Sequence, residues 1–251
     1  MTAFFMFYLI SDKKIQDILM ETSTDWIYVE YTKSQKEMLQ AYLSAIIEAN
    51  KTMNLTTIKT VESGWLLHIE DSLIGLPEFQ SAPTGRYADL GTGGGFPGVP
   101  LSIMTGKSVM LVDSVKKKMT IVRDIIARIG LDSQIRTYDK RIEELAQEQP
   151  RSFEVLTARA LAPLPSLIEL AAPLLTNGGR LISYKAMHLD QEIRTADMLE
   201  GKIGMKRIGM RTCLLSDGVT PRSIVVFEKI HEPEVELPRR IGVAQKRPYK
   251  A

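Results

Sequence analysis

The stretch "YADLGTGGGFPGVPLSI", residues 87–103, sets five glycines and two prolines behind a short apolar run. The run "RYADL" reads as a buried strand that ends at Gly91, and Pro97, with its fixed φ, suits the first turn of a helix. The bend between them offers backbone amides and the positive end of a helix dipole to whatever rests there. In an open α/β sheet this point lies outside the carboxyl ends of the strands, where ligands bind. Gly91, Gly93 and Gly95 permit positive φ and let the backbone approach a ligand closely. The pattern implies a nucleoside-containing cofactor.

Two registers fit the bend. Gly93, Gly95 and Gly98 satisfy the G-x-G-x-x-G fingerprint of dinucleotide sites, whereas Asp89, Gly91, Gly93 and Gly95 satisfy the acid-x-G-x-G-x-G pattern of S-adenosylmethionine enzymes. Asp113 ends the next strand about 20 residues on, where either cofactor would present ribose hydroxyls. Asp89 favours the second register, since a carboxylate at the strand mouth suits a cationic methionine moiety and would oppose a pyrophosphate. From the residues alone, three readings stay open: a methyltransferase, an NAD-dependent oxidoreductase, and a non-catalytic cofactor-binding module.

Outward from the bend, β-rich runs alternate with helical windows. "SVMLVD", "QIRTYD", "FEVLTARAL", "GGRLISYKA" and "RSIVVFEKI" flank helix candidates near 97–105, 115–129, 141–148, 164–176 and 187–201. Near-continuous apolar strands in this alternation predict a mostly parallel sheet with helices on both faces. "MKRIGMRTCLL" and "RSIVVFEKI", joined by "SDGVTP", read as a hairpin closing one sheet edge. Before residue 80 the pattern is helical: Met38, Leu39, Tyr42, Leu43, Ile46 and Ile47 recur at spacings of three and four, and "ESGWLLHIEDSLIGL" forms a second amphipathic stretch. "LPEFQSAPTG" reads as a loop and "LPRRIGVAQKRPYKA" as an irregular basic tail. The expected organisation is an N-terminal helical cap over 1–80, a core over 81–230 and a basic C-terminal tail over 231–251.

The 251 residues are 44% hydrophobic and 25% charged, enough for one substantial core, and a net charge of +2 leaves any nucleic-acid surface to local patches. Cys213 is the single cysteine, so no intramolecular disulfide can form and a cytoplasmic setting is expected. "MTAFFMFYLI" is apolar but about half the ~20 residues of a membrane span, and it lacks the flanks of a signal peptide. It reads as a packed helix or an extension.

Individual side chains add candidates. Arg159, a cation in the apolar fourth strand, needs a carboxylate or an anionic ligand, and Lys185 one strand further poses the same choice. Ile142 and Glu143 follow the third strand where an adenine would lie, although on these residues alone an acidic first helical turn is the readier account. The histidines are His68, His188 and His231. His68, beside Glu70 and Asp71, reads as a surface or capping residue. No metal-ligand cluster and no Ser-His-Asp set is seen.

"MNLTTI", "LHIEDSL", "YADLGTGGGFPGVPL", "LVDSVKKK", "VLTARALAPL", "LISYKA" and "LPRRIGVAQKRPYK" together resemble, in order and spacing, the bacterial small-subunit ribosomal RNA guanine-N7 methyltransferases, also called glucose-inhibited division protein B. The resemblance runs over roughly residues 33–251 and departs slightly in "GTGGGF". It implies a Rossmann-like class I S-adenosylmethionine-dependent methyltransferase with a seven-stranded sheet, acting as a cytoplasmic monomer on 16S rRNA or a small-subunit particle. It places Gly91, Phe96, Ile142, Glu143 and Arg159 on cofactor-binding positions, with Gly93, Gly95 and Asp113 beside them. Because guanine N7 already carries a lone pair, no general base is expected, and Arg159 and Lys185 are candidates for orienting substrate. Arg239, Arg240, Lys246, Arg247 and Lys250, with Lys116, Lys117 and Lys118, are the candidate phosphate contacts.

Overall fold

A computed structural model describes residues 29–186 and 189–250, so the apolar N-terminal segment and His188 lie outside the described residues. Helix α1 (Lys33–Asn50) opens on a capping box in which Thr32 and Gln35 exchange side-chain and backbone hydrogen bonds. Its apolar stripe, Leu39, Tyr42, Leu43 and Ile46, is fully buried, a gain of roughly 2 kcal/mol per side chain. A continuous helical run follows: α2 (Val61–Gly64), a π-helical segment (Trp65–Glu70) and α3 (Asp71–Leu73). The stretch read as a loop holds a further short helix, α4 (Leu76–Gln80), because Pro77 sits in its first turn, where a missing N–H leaves no helical bond unmade.

The remaining chain alternates as expected: β1 (Tyr87–Leu90), α5 (Gly98–Thr105), β2 (Val109–Val112), α6 (Lys116–Arg128), β3 (Ile135–Tyr138), α7 (Ile142–Glu148), β4 (Phe153–Arg159), α8 (Leu164–Ala171) and β5 (Leu175–Lys185). Two short helices, α9 (Asp190–Asp197) and α10 (Glu200–Ile203), lead to β6 (Met205–Leu214) and β7 (Pro221–Lys229). The sheet order is β3-β2-β1-β4-β5-β7-β6, with β7 antiparallel to both neighbours and all earlier pairs parallel. The predicted hairpin therefore inserts β7 beside β5 and leaves β6 at the edge.

Alternate strand residues feed two cores. Tyr87, Leu111, Val155 and Ile182 join the side covered by α1 through α6, whereas Ala88, Val112, Leu156 and Leu181 join the side covered by α7 through α11. The N-terminal helices share the first core continuously with the sheet. The C-terminal segment holds a turn of helix, α11 (Val243–Lys246), whose Ala244 is buried in the second core, so residues 239–250 lie against the body where an irregular tail was expected. Among the described residues no helix is long and apolar enough to cross a membrane.

Candidate active site

The glycine bend is fastened to β2 before it turns. The amides of Gly91 and Thr92 both donate to the Val112 carbonyl, at 2.8 and 3.0 Å, and those of Gly95 and Phe96 donate back to Thr92. Gly91, Gly93 and Gly95 all have positive φ, at +68°, +57° and +84°. Their surroundings differ. A Cβ on Gly91 would stand 2.6 Å from Leu161, and one on Gly95 would strike the Tyr42 hydroxyl, which donates to the Gly94 carbonyl at 2.7 Å. A Cβ on Gly93 would meet nothing within 4 Å.

Asp89 faces away from the mouth where the sequence placed it. It is fully buried and accepts from the Thr92 hydroxyl at 2.5 Å, the Thr157 hydroxyl at 2.6 Å and the Gly98 amide at 3.0 Å. Burial pushes its pKa up to about 6, against the pull of these donors. The strand pleat explains the change: Tyr87 and Asp89 share the side turned into the first core. Asp89 knits β1, the bend and α5 together, and its charge does not face a bound cofactor.

Asp113 does lie at the bend. One carboxylate oxygen accepts the Gly93 amide at 3.0 Å and the other accepts the Val115 amide at 2.8 Å. Beside it opens a cleft walled by Gly91, Asp113, Ile142, Glu143, Leu161 and Gln245, among others. Gly91, Asp113, Ile142 and Glu143 are thus brought together as the sequence predicted. Glu143 is 5% exposed and accepts the Gly242 amide at 2.7 Å. Leu161 and Gln245 were missed; Leu161 carries no signal beyond its place after β4, and Gln245 sat in a segment read as irregular.

Phe96 and Arg159 fall in a second cluster, under the helical layer. The Phe96 ring stacks on His68 with centroids 4.4 Å apart and planes 5° apart, and the Arg159 guanidinium lies 5.6 Å from its centroid. Arg159 pairs with Asp71 at 3.0 Å, and the other Asp71 oxygen takes Arg222 of β7 at 2.8 Å. The carboxylate that Arg159 needed is therefore supplied by Asp71 at the start of α3, and the pair of acids beside an apolar stripe in "HIEDSL" was the available signal. His68 is 8% exposed, which corrects its reading as a surface residue. Its Nε2 lies 2.8 Å from the Thr56 hydroxyl, and Nδ1 lies 3.4 Å from Arg159. Burial first, and the Arg159 charge second, lower its pKa to about 4, so the ring is neutral at pH 7.

Lys185 is held by Glu192 at 2.7 Å and the Ala162 carbonyl at 3.0 Å, which makes it a brace between β5, the loop after β4 and α9. Arg239, expected at a phosphate, instead makes a two-pronged pair with buried Glu169, both bonds 2.6 Å. Arg240, Lys246, Arg247 and Lys250 are exposed.

Residues 35–218 match the model of the family described as rRNA small subunit methyltransferase G, GidB. The chain belongs to that family. Relatives named ribosomal RNA small subunit methyltransferase G include one from Chloroflexus aggregans, 34% identical over 92% of this chain and 97% of its own, and one from Desulfitobacterium hafniense, 31% identical over 93% and 97%. Among solved structures, a putative sarcosine dimethylglycine methyltransferase from Galdieria sulphuraria aligns with a TM-score of 0.53 at 11% identity, covering 77% of this chain and 99% of that one. A Bacillus cereus O-methyltransferase aligns at 0.52 and 17%, covering 81% and 94%. These share the fold, the Rossmann-like class I methyltransferase architecture expected from the sequence. As a methyltransferase of this family, the protein leaves the oxidoreductase and non-catalytic readings without support.

Proposed function

We propose that this member of the family methylates N7 of a guanine in 16S rRNA, with S-adenosylmethionine as donor. The observation that carries the reading is the cleft beside the Gly91–Gly95 bend, which the Asp113 carboxylate lines while it holds the amide of an unobstructed Gly93. Its residues suit the donor: a carboxylate for ribose hydroxyls, the apolar Ile142 and Leu161 for a purine face, and polar Glu143 and Gln245 for its edge. The named relatives' substrate class supports RNA as acceptor.

The donor supplies an activated methyl group on a cationic sulfur. The chain's own task is orientation. Asp113 and the bend hold the nucleoside end, and the neutral His68, Phe96 and the Asp71-anchored Arg159 form a rigid junction beside the bend. Guanine N7 has a free lone pair, so no residue has to remove a proton; the rate comes from alignment and from fixed dipoles that tolerate charge moving toward the purine. Exposed Arg240, Lys246, Arg247 and Lys250, with Lys116, Lys117 and Lys118, are proposed to meet RNA phosphates, whereas Arg239 anchors the segment that carries the first four.

Mapping N7-methylguanosine in 16S rRNA with and without the gene tests the reading. Loss of one N7-methylated site on deletion, restored by the wild-type gene, is expected; an unchanged map refutes it. A thermal-shift titration should show stabilisation by S-adenosylhomocysteine and none by NAD.

A further inference from the structure

The segment after residue 238 is built into the wall of the cleft. Arg239 is clamped on both prongs by Glu169, a carboxylate 1% exposed on the largely apolar α8. The same carboxylate accepts the Tyr249 amide at 3.3 Å, and the Tyr249 ring lies 4.1 Å under the Arg239 guanidinium. Two points ten residues apart in sequence are thereby pinned to one buried acid. Between them the chain turns at Gly242, whose amide donates to Glu143, and places Gln245 on the cleft that Asp113, Ile142 and Leu161 also line.

An acid inside an apolar helix is expensive unless paired, and pairing it to a terminal segment fixes that segment against the body. Gln245 is exposed, and its side chain makes no hydrogen bond to another of the described residues. Its amide supplies both donors and an acceptor, the combination that an adenine edge or a ribose hydroxyl can use.

We infer that residues 239–250 are a structural part of the cofactor site: the Arg239–Glu169 clamp holds Gln245 against the adenosine moiety, and Gly242 fixes Glu143 for the same purpose. The inference rests on S-adenosylmethionine being the ligand of the cleft. It has a consequence for substrate binding, because Arg240, Lys246 and Arg247 ride on the same segment. Cofactor and RNA then order one strap, and each favours the other by thermodynamic reciprocity.

The test is calorimetric binding of S-adenosylhomocysteine to the full-length wild type, Gln245→Ala and Arg239→Ala, with tryptic cleavage after Arg240 and Lys246 followed with and without ligand. Gln245→Ala removes an exposed side chain and leaves the fold alone, so its expected three- to tenfold weaker binding reports the contact itself. Arg239→Ala should weaken binding at least as much, and ligand should slow cleavage of the wild-type segment several-fold. Affinity within twofold of wild type in both variants overturns the inference. Failure of the wild type to bind at all overturns the cofactor reading beneath it.

Discussion

The glycine bend and the junction under the helical layer share Phe96, yet they are finished in opposite ways. The bend ends in backbone: at Gly93 there is space on the outer side and one carboxylate, Asp113, holding the amide. The junction ends in side chains that satisfy one another, with Asp71 between two arginines and His68 between Phe96, Thr56 and Arg159. The difference separates stability from binding. Damage to the junction should unfold the protein, whereas damage to the open side of the bend should leave a folded protein that binds poorly.

The largest effect should come from Asp71→Asn. It removes one charge from between Arg159 and Arg222, both mostly buried, and breaking such a pair costs about 3 kcal/mol. Urea unfolding should show the loss as a lower midpoint with an unchanged slope. A change below about 1 kcal/mol would place these pairs with ordinary surface salt bridges and dissolve the contrast drawn above.

Next in size is the pH dependence of the junction. His68 has a pKa near 4 in the fold and an ordinary value of 6.5 when unfolded. The unfolded chain therefore binds more protons between those values, so stability from His68 is present above pH 6.5 and is lost as pH falls toward 4, by about 3 kcal/mol at most. Asp89 acts in the other direction. Its pKa rises from 3.8 to about 6 on folding, so its contribution is present below pH 3.8 and is lost as pH rises through 6. In the wild type the two slopes partly cancel between pH 4 and 6. Subtracting the stability of His68→Gln from that of wild type across this range should expose a rising curve; a flat difference would show that the ring is free to take a proton in the fold.

Two glycines then give a matched pair. Gly95→Ala sets a methyl against the Tyr42 hydroxyl and Val99 at a positive φ, and should cost about 2 to 3 kcal/mol. Gly93→Ala meets open space and bears only the backbone penalty, about 1 kcal/mol. Its larger effect should be on S-adenosylhomocysteine affinity, read by calorimetry. Equal stability losses would mean that the bend relaxes as a unit.

The legibility of the sequence follows the same divide. The strand–bend–helix unit could be read because positive φ demands glycine and because buried parallel strands leave continuous apolar runs. Asp113, Ile142 and Glu143 were locatable for the same reason, since chain order fixes which strand ends meet the bend. Asp89 was misread because the motif gives its position and not the pleat that turns it inward. Arg159 announced a need for an acid and Arg239 was read as a phosphate contact, but Asp71 lies 88 residues from the first and Glu169 lies 70 residues from the second, distances over which no local pattern specifies a partner. His68 was hidden by its polar neighbours, which face Ser216 and the two arginines while the ring turns onto Phe96.

The smallest effect on stability, and the sharpest on binding, belongs to Asp113. Like Asp89 it accepts backbone amides around the bend, but it is only partly buried, and water can take over the amides of Gly93 and Val115 when it is removed. Asp113→Ala should therefore lower stability by roughly 1 kcal/mol or less while reducing S-adenosylhomocysteine affinity about tenfold, the value of one charge-assisted hydrogen bond. Asp89→Asn should show the reverse pattern, because its three donors are internal and none faces the cleft. Two acids of one motif would then divide along the same line as the two regions, one holding the bend in shape and the other holding what rests on it. If Asp113→Ala bound the ligand like wild type, the outward face of the bend would lose its single charged contact and the nucleoside would have to be placed elsewhere along the cleft.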